Sequence, residues 1–301
     1  MSWFQVLIPP TQNVLTGHFD PFLVAVSYLA AAVSSYVALT LMVRLRHGDA
    51  AGRRLRLIYG AGVSLGGGIW AMHFIGMLAF HLPLEVSYRF WPTLASLLLA
   101  VGVSGFGFHR IRDGRIRAGR LARAGFWMGL GIFLMHYLGM SGLQFAGRMV
   151  WRLEWILLSG LIAVGAATAA LWLSLRVGPG ESIRAVGYRA AGALVMGLAI
   201  TGMHYTGMAA ATFIRLEEVP LVGRLALQAD FMAYGTVLIL AIILSLAVIT
   251  SSTVETLGPR QRLAALILIM SIVAFSVAFI TLGALYRTGF EQERQRLLEI
   301  A

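Results

Sequence analysis

Residues 57–80 read LIYGAGVSLGGGIWAMHFIGMLAF, an apolar stretch closing on Met72-His73-Phe74-Ile75-Gly76-Met77. That ending returns as Met135-His136-Tyr137-Leu138-Gly139-Met140, inside the apolar stretch 124–146. It returns again as Met203-His204-Tyr205-Thr206-Gly207-Met208, inside 190–213. The shared pattern is M-H-[FY]-x-G-M, with the histidines 63 and then 68 residues apart, and a glycine stands seven residues before each (Gly66, Gly129 and Gly197). Six-residue patterns of uncommon residues do not recur by chance, so the chain contains an internal repeat. Whatever architecture carries the first copy carries the other two.

Working outward, five more apolar stretches flank these three, at 22–43, 92–108, 155–175, 231–253 and 263–286, making eight. Of 301 residues, 58% are hydrophobic and 12% charged, too few charges to coat a soluble domain of this size. Each stretch is long enough for a tilted or upright span of the hydrocarbon core, where the backbone must satisfy its own hydrogen bonds. The expected fold is an all-α polytopic membrane protein of seven to eight transmembrane helices built from helix pairs. No cysteine is present, which excludes disulfides and thiolate metal sites.

All 24 basic side chains are arginine and the formal net charge is +11. Sixteen of the arginines fall in the gaps after the first, third, fifth and seventh stretches, and five fall on the other side. The asymmetry reads as a cytoplasmic topology signal, not a nucleic-acid footprint. It places the N-terminus outside, the basic loops in the cytoplasm, and all three motifs in the outer half of the bilayer at one depth. The resulting division is an outer N-terminal segment 1–21, a seven-helix module 22–253, a cytoplasmic loop with an additional helix at 254–286, and an amphipathic tail 287–301. The tail, TGFEQERQRLLEI before Ala301, is expected to lead to a further domain. No feature of the sequence sets an oligomeric state.

On a helix, residues four apart share a face. His73 with Met77, His136 with Met140 and His204 with Met208 therefore each present imidazole and thioether together. The preceding Met72, Met135 and Met203 lie about 100° round the axis and are additional candidates. The glycines at −7 and +3 are expected to let neighbouring helices approach closely. Neutral imidazole with thioether and no thiolate suits copper, with zinc on three histidines and haem on two as alternatives. His18 and Asp20, just before the first span, are candidates at the mouth of the site, whereas His81 reads as an interfacial or peripheral histidine. A copper storage or transport protein and a membrane metalloenzyme with a three-histidine site are the rival readings. The motif helices hold no acidic residue to serve as a general base.

Over roughly residues 15–255 the chain resembles the MHYT family of bacterial membrane sensor modules. Met203-His204-Tyr205-Thr206 is the literal tetrapeptide, and the other two copies keep Met and His. The resemblance implies a bacterial inner membrane with the N-terminus in the periplasm, seven spans, copper bound through Met and His near the outer face, and sensing of O2, CO or NO. It also implies relay to a downstream partner, through cyclic di-GMP enzymes or a kinase. The eighth apolar stretch departs from that pattern.

Overall fold

The computed structural model describes residues 14–45, 51–112, 117–176, 182–216 and 226–249. Within them the chain forms seven helices: α1 (Pro21–Leu45), α2 (Ala51–Ala79), α3 (Phe90–Arg110), α4 (Ala118–Ser141), α5 (Leu153–Arg176), α6 (Ile183–Ala209) and α7 (Ala229–Ile249). The first six are long and apolar enough to cross a membrane, and the chain is an all-α multi-pass membrane protein. The expected eighth helix at 263–286, the tail 287–301 and residues 1–13 lie outside the described residues.

The helices close a ring. Contacts run from α1 through α6 and back to α1, while α2, α4 and α6 also touch one another across the middle. α7 packs against α2 and α1 and covers the face of α2 that the ring leaves open. Of these six, α2 is the most enclosed by its neighbours, and α3 and α5 are the least enclosed, so most of their surface faces lipid. Large side chains such as Leu98, Leu161 and Leu198 point outward from α3, α5 and α6, as lipid-facing positions should.

With no hydrophobic drive between helices in lipid, close backbone approach has to hold them. The glycine seven residues before each motif histidine provides it. A Cβ at Gly66 would overlap Ala100 and Val101 of α3, and one at Gly129 would overlap Val164 and stand 2.8 Å from the Ala163 carbonyl oxygen of α5. A Cβ at Gly197 would stand 3.0 Å from Ala32 of α1. Three helix pairs, α2–α3, α4–α5 and α6–α1, thus dock through the same position of the repeat.

Short antiparallel strands knit the motif end of the bundle together. They are β1 (Val14–Leu15), β2 (His18–Phe19), β3 (Phe80–His81), β4 (Ser87–Arg89), β5 (Leu143–Gln144), β6 (Gly147–Trp151), β7 (Ala211–Arg215) and β8 (Ala226–Gln228). The pairings β2–β3, β4–β5 and β6–β7 each join the strand before an outer helix to the strand leaving an inner one. Their registers correspond: Phe19 faces Phe80, Tyr88 faces Leu143, and Trp151 faces Ala211. In each, one backbone N–H reaches the carbonyl six residues past a motif histidine: Asp20 to Ala79 at 2.8 Å, Arg89 to Gly142 at 2.8 Å and Arg152 to Ala210 at 2.9 Å. The remaining pairings, β1–β7 and β4–β8, extend these ladders.

These strands correct the sequence reading at two ends. The apolar stretches expected to run to 146 and 213 leave the helix at Ser141 and Ala209, and their last residues enter β5 and β7. Thr212, Phe213 and Ile214 are β-branched or aromatic and fit a pleated ladder better than a frayed last turn. At the opposite end the helices run past the apolar stretches into their arginines. α4 begins at Ala118, taking in Arg120 and Arg123, and α6 begins at Ile183, taking in Arg184 and a buried Arg189. Apolar composition marks the hydrocarbon core, and a helix continues beyond it into the interface.

Candidate metal centre

His73, His136 and His204 meet at one point. All three are fully buried. The Nδ1–Nδ1 distances are 3.1 Å (His73–His204), 3.1 Å (His136–His73) and 3.3 Å (His204–His136). Ring centroids lie 4.9, 5.0 and 5.2 Å apart, with interplanar angles of 81°, 87° and 82°. The imidazoles therefore form a three-bladed propeller with their Nδ1 atoms at the hub.

The seat of each ring is the motif glycine of another repeat. A Cβ on Gly139 would collide with Nε2 of His73 and lie 2.9 Å from its Cδ2. Gly207 receives His136 and Gly76 receives His204 in the same way, each with Cδ2 2.8 Å from the missing Cβ. The glycine at +3 thus makes room for an imidazole, not for a helix as the sequence suggested, and the cycle His73–Gly139, His136–Gly207, His204–Gly76 locks three repeats into one centre. A second set of contacts fixes the residue after each histidine. Ser27 Oγ donates to the Val24 carbonyl at 2.7 Å, so the Tyr205 hydroxyl 3.1 Å away donates to it. Ser159 stands likewise against Ile156 and Tyr137, both at 2.8 Å. In the first repeat that aromatic is Phe74, and the equivalent Ser96 instead accepts from Trp70 Nε1 at 3.1 Å. The strand aromatics Phe19, Tyr88 and Trp151 pack on Tyr205, Phe74 and Tyr137 at 5.2, 5.8 and 5.2 Å.

The hub cannot satisfy itself. A ring nitrogen either carries a proton or offers a lone pair, so of three mutually adjacent Nδ1 atoms at least two play the same role and one edge is repulsive. A shared cation facing three lone pairs removes the conflict. Metal–nitrogen bonds of about 2.0–2.1 Å around a tetrahedral centre set donors about 3.3–3.4 Å apart, close to the edges found. Lone pairs on Nδ1 put the protons on Nε2, and all three Nε2 atoms are buried without a hydrogen-bond partner. Among the described residues this is the group of three or more histidines and acids whose ligand atoms lie close enough to share a metal ion. The residues present fit a three-imidazole metal site. They do not fit haem on two of the rings, because a macrocycle would have to lie between nitrogens only 3.1–3.3 Å apart.

The other sequence candidates are placed differently. Met72, Met135, Met203, Met77, Met140 and Met208 are all buried, at most 4% exposed. Asp20 caps α1: its Oδ1 accepts from the N–H groups of Phe22 at 2.8 Å and Leu23 at 3.1 Å, so this carboxylate is engaged by the helix start. His18 sits on β2 opposite His81, not at the hub. On the opposite side of the hub the axis is apolar. Ile69, Ile132 and Ile200, four residues before the histidines, and Leu65, Met128 and Met196, eight before, line a small apolar cavity with Met203. The serine partners and the cross-repeat glycine seats escaped sequence reasoning. The serines recur 69 and 63 residues apart (Ser27, Ser96, Ser159), a signal visible once the outer helices are aligned.

Comparison with known proteins finds the same repeat. Residues 66–124 and 129–187 match MHYT, the bacterial signalling protein N-terminal repeat, each match beginning at a −7 glycine. The chain is 40% identical over 237 residues to the bifunctional diguanylate cyclase/cyclic di-GMP phosphodiesterase MucR of Pseudomonas aeruginosa, covering 78% of this chain and 33% of that protein. It is 35% identical over 192 residues to the cyclic di-GMP phosphodiesterase NbdA of the same organism (64% of this chain, 24% of NbdA). It is 30% identical over 200 residues to the signalling protein YkoW of Bacillus subtilis (65% and 24%). The chain thus spans a quarter to a third of the length of these relatives. No solved structure matches it. Two matched repeats, a third copy of the motif joined to them at one hub, and relatives of this kind make the chain a member of the MHYT family.

Proposed function

We propose that the chain is a membrane-embedded signalling sensor whose three histidines hold copper near the periplasmic face. The supporting observation is the hub itself: three Nδ1 atoms 3.1–3.3 Å apart, each from a different repeat. His73, His136 and His204 would be the ligands, with a thioether from Met77, Met140 or Met208 as a further donor and Met72, Met135 and Met203 as reserve. Imidazole with nearby thioether selects copper over harder ions, and zinc is the alternative that the same three rings would accept. Bound copper would supply a centre whose oxidation state, or affinity for O2, CO or NO, reports on the surroundings.

The chain's own part is to hold the imidazoles still, keep water out and register a change. The glycine seats and the serine–tyrosine bonds orient the rings, and the apolar layers of Ile69, Ile132 and Ile200 bar water from the far side. Because each ligand stands on a separate helix, any change in how strongly the three lone pairs are held together alters the preferred spacing of α2, α4 and α6. A ligand shifts an equilibrium by its differential affinity for two states, and a hub joining three helices supplies that difference. The output, by analogy with MucR and NbdA, is cyclic di-GMP turnover in a connected domain or partner. Sensing rather than catalysis is the role of this region. Copper transport is the rival reading, since Met128, Met196 and Met203 line the cavity beyond the hub and are soft donors that a conduit could use; metal flux in proteoliposomes separates it from sensing. The test is copper content of detergent-purified protein. Wild type should hold at least one ion per chain, His73→Ala, His136→Ala and His204→Ala should each lower that content by one, and unchanged copper in all three would overturn the assignment.

A further inference from the structure

The repeat symmetry breaks at one place in the strand cap. One position beyond the aromatic pairs, eight residues after each motif histidine, the facing residues are Ser87 with Gln144 in one copy and Val150 with Thr212 in another. In the remaining copy they are His18 and His81. Hydroxyl, amide or aliphatic side chains serve the ladder equally well there, so the framework does not call for two imidazoles. Both are exposed, and their rings stack with centroids 5.2 Å apart and planes within 14°.

We propose that His18 and His81 form a second, outer metal site for a transition-metal cation of the copper or zinc class, separate from the buried hub. The tautomer of His81 suits it. Its Nδ1 lies 3.2 Å from the Ala79 carbonyl oxygen, which can only accept, so Nδ1 carries the proton and Nε2 offers its lone pair outward. A ring N–H tied to a backbone carbonyl is the usual support behind a metal-ligating histidine. The strand pairing sets the spacing. In the hub, His136 and His204 have the same 5.2 Å centroid separation and bring nitrogens to 3.3 Å by standing edge to face. With His81 held by its carbonyl bond, rotation of the exposed His18 ring, without movement of the strands, is the adjustment that lets both reach one ion. His81 stands beyond the end of α2, six helical residues past His73, or about 9 Å along the axis. The two sites therefore fill independently, and the outer one stands whether or not the hub binds copper.

The test titrates the whole chain in detergent with Zn2+ and follows bound ions by equilibrium dialysis. The double variant H18S/H81Q copies the Ser87–Gln144 pair already present in this fold and so preserves the ladder. Wild type should take up one more Zn2+ per chain than H18S/H81Q, and His81→Gln alone should weaken that class at least tenfold. Equal stoichiometry and affinity in wild type and double variant would overturn the proposal. As a check needing no variant, wild type loaded with Cu2+ should show, by electron paramagnetic resonance, a class coupled to two imidazole nitrogens. Absence of any two-nitrogen class would equally overturn it.

Discussion

Gly139→Ala should cripple a histidine that lies in another repeat. The added methyl would lie 2.9 Å from Cδ2 and 3.4 Å from Cε1 of His73, with Nε2 closer still. Unbonded heavy atoms settle at about 3.5–4.0 Å, so the ring has to withdraw by about 1 Å. A rigid imidazole cannot move its Nε2 edge without moving Nδ1. The hub edges of 3.1 Å to His136 and His204 then open towards about 4 Å, beyond the donor spacing of about 3.3–3.4 Å that a tetrahedral ion accepts. Overpacking of this kind costs about 1–3 kcal/mol in stability. Disturbing what orients a ligand typically weakens metal binding about 10–100-fold. Gly202→Ala is the control: it lies two residues from His204, nothing stands within 4 Å of its added methyl, and it should leave affinity unchanged. The assay is competition of detergent-solubilised protein against a copper chelator, with thermal unfolding followed in parallel. If Gly139→Ala bound copper as tightly as Gly202→Ala, the cross-repeat seating would not be what positions His73.

Further expectations concern the frame around the hub. Gly66→Ala drives a methyl into the backbone of α3, which cannot yield as a side chain does, and should lower stability by about 1–3 kcal/mol; Gly102→Ala, with open space around it, should not, as thermal unfolding will report. Tyr137→Phe removes a hydroxyl from Ser159 but leaves that serine its own carbonyl at 2.8 Å, so the cost should be about 0.5–1 kcal/mol, with copper content retained. Tyr88 on β4 is buried, and burial pushes its phenol up from the ordinary value. The unfolded chain therefore releases this proton first, and stability should fall as pH rises past about 10. Tyr88→Phe should flatten that alkaline loss in a series of denaturation curves, and an unchanged slope would contradict it.

How much of this was legible beforehand follows from what each signal encodes. The first seven helices and the convergence of the three histidines could be read because lipid forces long apolar stretches and the motif repeats at matched depth. The −7 glycines were read correctly because close helix approach is a local requirement of one residue. Those at +3 were not, since the group that fills Gly139's empty side is His73, 66 residues away. The strand cap was missed because Leu143, Thr212, Phe213 and Ile214 prolong an apolar run and look like helix until their partners are known. His18 was a candidate for the mouth of the site from its proximity to the first span, while register with His81 decides its place. Asp20, a helix-start residue by type, proved to be the cap of α1.

The central claim is that one ion is held by three imidazoles from three repeats. X-ray absorption at the copper edge on the loaded protein addresses it directly. The account predicts a shell of three nitrogen donors at about 2.0 Å with the scattering signature of imidazole rings, a shell that each single histidine variant fails to give because it no longer retains the ion. A shell of sulfur donors alone, or a spectrum indifferent to His73, His136 and His204, would contradict it.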